Sequence, residues 1–262
     1  MKTGVCALCR KQSSELRESH LLPKAIYKII RSPNHRPPDP VLLTVDREEQ
    51  TSFQAKRHLL CGDCEERLHR HGEDWTLEAC ARPEGFKLRE QMLLQRADPL
   101  PYGLYRFECN EIPFLNTDAL SYLAISVIWR AAVCRWQIAG QDIGQLDLGS
   151  YEAAFRSYLC GTSGFPANTV VSVVVSSLES APLEATFPES NKIDGYRMHF
   201  FSIPGLDVTV DVGSRMPESV RDLCLSCGSI FYGSLADRER HAAMLAVMRF
   251  RTDRAHAVTR PT

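Results

Sequence analysis

Two Cys-x-x-Cys pairs, Cys6/Cys9 and Cys61/Cys64, constrain this chain more than any other feature. Each pair lets two sulfurs reach one ion from a tight turn, and two pairs complete the closed tetrahedron of a structural zinc site. The repeated spacing favours zinc over four unrelated buried thiols. Between Cys9 and Cys61 lie 51 residues, so this segment must fold as a loop-and-hairpin insert that returns the second pair to the first.

Ten cysteines in 262 residues could indicate secretion, but Met1-Lys2-Thr3-Gly4 leads directly to Cys6 without an apolar leader. The expectation is a cytoplasmic protein in a reducing compartment, where close-paired thiols bind metal. A hydrophobic fraction of 44% suffices for one large or two small globular domains. The longest uncharged apolar stretches, 119–129 and 168–178, are 11 residues each. A helix crossing a bilayer needs about 20, so no membrane segment is expected.

The net charge of −1 argues against a chain coated in positive field. Its distribution is uneven: residues 1–71 carry 13 Lys and Arg against 9 Asp and Glu, a net of +4, and five of the eight histidines. Basic and imidazole groups gathered beside the cysteine pairs suit a phosphate-bearing substrate, although charge alone favours a solvated mixed-charge surface.

The expected organisation is α+β: a zinc-bound domain over 1–78, a helical linker over 79–103 and an α+β domain over 104–262. Pro-bearing stretches at 82–85 and 98–103 mark the boundary and flank a helix at 86–97. Lys24–Ile30 reads as a helix that the Pro-rich segment Ser32–Pro40 ends, and Val41–Val45 as a short strand. Gly62 to about His71 reads as a helix with acidic residues in its first turn. Further on, a helix capped by Thr117 or Asp118 runs to about Gln137, and a second spans Glu152–Leu159. Strands are expected at Thr169–Ser176, Tyr196–Ile203 and Leu206–Val212, the last two joined at Pro204-Gly205, and a closing helix at Leu235–Phe250. Trp129 and Trp136, seven apart on the long helix, read as core; Arg130 and Arg135 there read as buried partners or surface charges. A third pair, Cys224/Cys227, could join Cys80, Cys109, Cys134 or Cys160 in a second metal site or be simply buried.

The order Cys-x-x-Cys, Ser19-His20-Leu21-Leu22-Pro23-Lys24, then Lys56-x-x-Leu59-Leu60-Cys61-x-x-Cys64-Glu65 resembles the zinc-bracketed HNH endonucleases of the ββα-metal class, and more narrowly an uncharacterised bacterial branch of them. The stretch 115–130 is similar to that branch too, while the nuclease resemblance covers about residues 1–75. It implies a metal-dependent endonuclease acting on DNA, with RNA as the other candidate. His20 would be the general base and one divalent cation, magnesium or manganese, would stabilise the phosphate. Restriction or antiphage defence is the setting that the family suggests.

The family pattern is altered at three positions. The usual acidic ligand before the histidine is Ser19, the final His is Glu65, and the middle Asn is replaced by Lys56 or supplied by the distant Asn34. Glu65, His69 and Glu73 recur at i, i+4 and i+8, so one helix face could rebuild the cation site with oxygen donors, or be a solvated face. Lys24, Lys28 and Arg57 are candidates to hold phosphate, with Lys56 at the transition-state charge. The alternative function is a non-catalytic zinc module binding nucleic acid or protein. The C-terminal domain could carry a protein partner or a homo-oligomer contact.

Overall fold

The computed structural model describes residues 2–31, 39–43, 48–177, 183–222 and 224–233. The expected helix at Leu235–Phe250, Asn34 and most of the Pro-rich segment lie outside them.

Strand β1 (Lys2–Val5) pairs antiparallel with β2 (Gln12–His20) around the first cysteine turn, and helix α1 (Lys24–Ile29) comes next. A separate ribbon of β3 (Val41–Leu43) and β4 (Glu48–Gln50) fills the insert, and β5 (Lys56–Leu60) returns to pair with β2. The β2–β5 register sets His20 opposite Lys56 and Ser19 opposite Arg57. Helix α2 (Gly62–Leu68) leaves the second cysteine pair and packs on β2.

The helix expected to stop near His71 instead continues through a π turn, His69–Glu73, into α3 (Asp74–Ala79). Gly72 makes this possible. A Cβ there would lie 2.9 Å from the backbone nitrogen of Leu123, so only glycine lets the turn approach the central helix so closely.

The linker holds one short helix, α4 (Lys87–Met92), in place of the longer one expected at 86–97. Then come β6 (Asp98–Pro99), β7 (Leu104–Glu108) and the central helix α5 (Thr117–Val133). Asn116, rather than Thr117 or Asp118, caps α5: its Oδ1 accepts from the Ala119 amide at 2.9 Å. Almost all of α5 is buried, and an apolar sequence without a polar face demands that.

Helix α5 ends at Val133, four residues short of expectation, because groups from the next hairpin and loop satisfy its last carbonyls. The Trp136 indole donates to Arg130 O (2.8 Å), the Leu146 amide to Ala131 O (3.0 Å) and Gln145 Nε2 to Ala132 O (2.6 Å). Arg135 and Trp136 therefore leave the helix, and Trp136 is buried in β8 (Trp136–Ile138), which pairs with β9 (Gln141–Gly144).

After α6 (Tyr151–Leu159) the chain builds a mixed sheet from β10 (Thr169–Ser176), β11 (Glu189–Ile193), β12 (Tyr196–Ile203), β13 (Leu206–Val212) and, beyond α7 (Glu218–Arg221), β14 (Ser229–Gly233). With β6 and β7 it has the order β11-β12-β13-β10-β14-β7-β6, and only β10–β14 runs parallel. The class is thus mixed α+β. β12 and β13 meet at Pro204-Gly205; Gly205 has φ +78°, and a Cβ there would collide with the Phe86 ring at 2.6 Å. One cluster of buried side chains runs from Cys6 through α5 to Ile230. Among the described residues no helix is long and apolar enough to cross a membrane.

Candidate functional site

The two cysteine turns meet. The donor sulfurs of Cys6, Cys9, Cys61 and Cys64 all lie within 4.8 Å of one another, with Cys9 and Cys61 3.9 Å apart. A tetrahedron with Zn–S bonds of about 2.3 Å has edges of about 3.8 Å, so the set has the chemistry and the size to hold a metal ion such as zinc. The Cys61 amide donates to Cys6 Sγ at 3.3 Å, an outer bond that steadies a thiolate. The hydrogen bond from Cys64, more than any other influence, pulls the Cys6 thiol down to about 4, and the same bond pushes Cys64 up. Among the described residues this is the one cluster of three or more metal donors, and Cys224/Cys227 belongs to none. Cys224 is buried and Cys227 exposed in a turn beside β10 and β14.

Beside this centre a cleft of about 530 Å³ opens between the end of β2 and the α2–π-turn helix. His20, Lys24, Glu65, His69 and Glu73 all line it, so five residues singled out in the sequence converge on one cavity. Arg17 and Arg130 line it as well. Lys28 does not; it is exposed on α1. Lys56 pairs with Glu18 at 2.9 Å, and Arg57 turns its guanidinium to the Arg135 carbonyl at 2.8 Å.

His20 Nε2 lies 2.8 Å from Gln54 Oε1. An amide oxygen only accepts, so Nε2 carries the ring proton and Nδ1 keeps a lone pair. Burial holds the His20 pKa below its ordinary 6.5, and the charges of Lys24, Arg130 and Lys56 push the same way against the Gln54 hydrogen bond. The imidazole is therefore neutral at pH 7, the state that a general base requires.

Ser19, fully buried, donates a short hydrogen bond to Glu65 Oε1 across 46 residues of sequence. Burial raises the Glu65 pKa, while the Arg130 charge and the Ser19 hydroxyl lower it. Arg130 is 2% exposed; its Nη1 donates to the His20 carbonyl at 2.7 Å, and its Nη2 to Glu73 Oε1 at 2.7 Å and to Ser126 Oγ at 3.1 Å. His69 sits 3.0 Å from Asp74 and 3.8 Å from Glu73.

Gln54 escaped sequence reasoning, and Arg130 reads there only as a buried partner or a surface charge. Gln54 stands two positions before Lys56, and a search for any carboxamide near β5, rather than an asparagine, would have found it. Arg130 announces itself only as a charge within an apolar helix, a pattern that signals a buried partner without naming one. Comparison of the chain with protein-family models, curated proteins and solved structures returned no match.

Proposed function

We propose that the cleft hydrolyses phosphodiester bonds of nucleic acid, with zinc at the four cysteines as the structural centre of an HNH-like domain over 1–78 and His20 as general base. The observation that carries this reading is the meeting of Ser19 and Glu65. They stand where the HNH pattern has its two cation ligands, one before the base histidine and one after the last cysteine, and they are in direct contact. β2, which ends at His20, pairs with β5, and α2 follows β5, a ββα succession with α1 and the β3–β4 ribbon inserted between its two strands.

Ser19 and Glu65, with Glu73 further along the same helical wall, would hold a divalent cation, magnesium or manganese. When bound it would neutralise phosphate charge. The chain's own residues do the rest. Lys24 and Arg17 draw the phosphate into the cleft. Gln54 fixes the imidazole so that Nδ1 takes the proton from the attacking water. Arg130 holds the His20 main chain in place.

DNA is the proposed substrate and RNA the variant to compare. The part over 104–262 would supply specificity, assembly or a partner contact. A second reading, a zinc module that binds without cutting, draws support from Glu65 and Glu73, whose charges already have protein partners in Ser19 and Arg130. His20→Ala separates the two: lost cleavage with unchanged folding and DNA affinity favours catalysis, while an inert wild-type protein that binds DNA favours the module.

A further inference from the structure

The π turn serves two cavities. His69 and Glu73 face the cleft, whereas His71, between them in sequence, lines a second cavity of about 430 Å³. Its wall is a run of rings in contact: His71–Tyr122 at 5.4 Å between centroids, Tyr122–Tyr158 at 5.5 Å and Tyr158–Phe165 at 5.6 Å. Successive planes are inclined by 41°, 51° and 78°, so the ring faces look in different directions. Planar bases and guanidinium groups favour flat, parallel stacking. A compact cation gains from several ring faces turned round it.

The charge of the cavity agrees. Asp118 lines it and no Lys or Arg does among the described lining residues, although the Arg67 charge reaches Tyr122 from outside the lining. A carboxylate there repels phosphate and attracts a cation, the reverse of the Lys24 end of the cleft. The frame is held: Tyr122 is buried and its hydroxyl donates to Leu159 O at 2.6 Å. Phe165, in the turn after α6, is 39% exposed although it is apolar.

The geometry points to a binding site for a small methylated ammonium compound, its head group against Tyr158 and Phe165 and its charge balanced by Asp118. A methylated ammonium has few or no N–H bonds to water to give up, so it enters an aromatic cavity at a lower desolvation cost than an unmethylated ammonium does. The site is independent of the phosphodiester reading, since it shares no side chain with the cleft.

Titration calorimetry of the full chain with choline, and with the neutral compound in which carbon replaces its nitrogen, tests this. Choline should bind saturably and the neutral compound about tenfold more weakly. Phe165→Leu, which keeps apolar volume without the ring, and Asp118→Asn should each weaken choline severalfold at unchanged melting temperature. Equal binding of the two compounds, no saturation at millimolar choline, or wild-type affinity in both variants would overturn the proposal.

Discussion

Arg130 Nη2 lies 2.7 Å from Glu73 Oε1, and this pair, with the guanidinium buried and the carboxylate half-buried, ties the central helix α5 to the π turn beside the cleft. The guanidinium, at 2% exposure, is satisfied by Glu73, the His20 carbonyl and Ser126 together. A buried pair of this kind adds little over a well-packed apolar pair, but removing one partner strands the other.

Arg130→Met should therefore destabilise the protein by about 3 kcal/mol, because it leaves the Glu73 carboxylate without its partner. Adding Glu73→Gln should recover part of that loss. Chemical denaturation of the two single variants and the double variant reads the coupling. Additive effects would mean that the pair does not act as a unit.

Cys61→Ser should remove metal and structure together. With four sulfurs within 4.8 Å, loss of one opens the tetrahedron, and the insert between the two turns loses its anchor. Elemental analysis should find one zinc per wild-type chain and far less in the variant, with a lower melting temperature. Equal stability of the two would detach the metal from the fold.

On the proposed reading His20 sets the pH dependence of cleavage, and its folded pKa lies below 6.5 mainly through burial. With the neutral ring as the proposed base, activity should be full at neutral pH and fall as pH drops through that lowered value. The acid limb of the rate profile should thus lie below pH 6.5. Gln54→Leu removes the acceptor that keeps the proton on Nε2 and should lower the maximal rate with little change in substrate affinity.

Asp211 in β13 has a buried carboxylate oxygen without a hydrogen-bond partner among the described residues, and burial pushes its pKa from 3.8 up to about 6. Its neutral form suits the fold, so its contribution is full below pH 3.8 and is lost as pH rises through about 6. Asp211→Asn should accordingly raise stability at pH 7.5, by on the order of 2 kcal/mol, and change little at pH 4. His199 in β12 has the opposite sign. Burial holds it at about 4, so its contribution is present above pH 6.5 and is lost as pH falls through about 4. Thermal melts across this range resolve the two.

Where structure comes from local chemistry, the sequence was readable to the residue. Thr169–Ser176, Tyr196–Ile203 and Leu206–Val212 are β-branched or aromatic runs bounded by turn residues, and each forms the strand expected. The four cysteines met because spacing alone encodes a metal knuckle. Long-range bonds were not readable: α5 stops at Val133 because Trp136, Gln145 and Leu146 reach back to its carbonyls. The π turn changes the phase of the helix, yet Glu65, His69 and Glu73 still line one cleft. Gln54 was missed, and Arg130 reads as a buried partner without its partner being named, because their contacts lie 34 and 57 residues away in sequence.

The most direct test of the phosphodiesterase reading is cleavage of plasmid DNA by the zinc-loaded protein, with magnesium, manganese or EDTA, alongside His20→Ala. The account predicts nicking or linearisation that needs the added cation and falls about a hundredfold or more in the variant. Cleavage that survives loss of His20, or none by a folded wild-type protein with either cation, would contradict it.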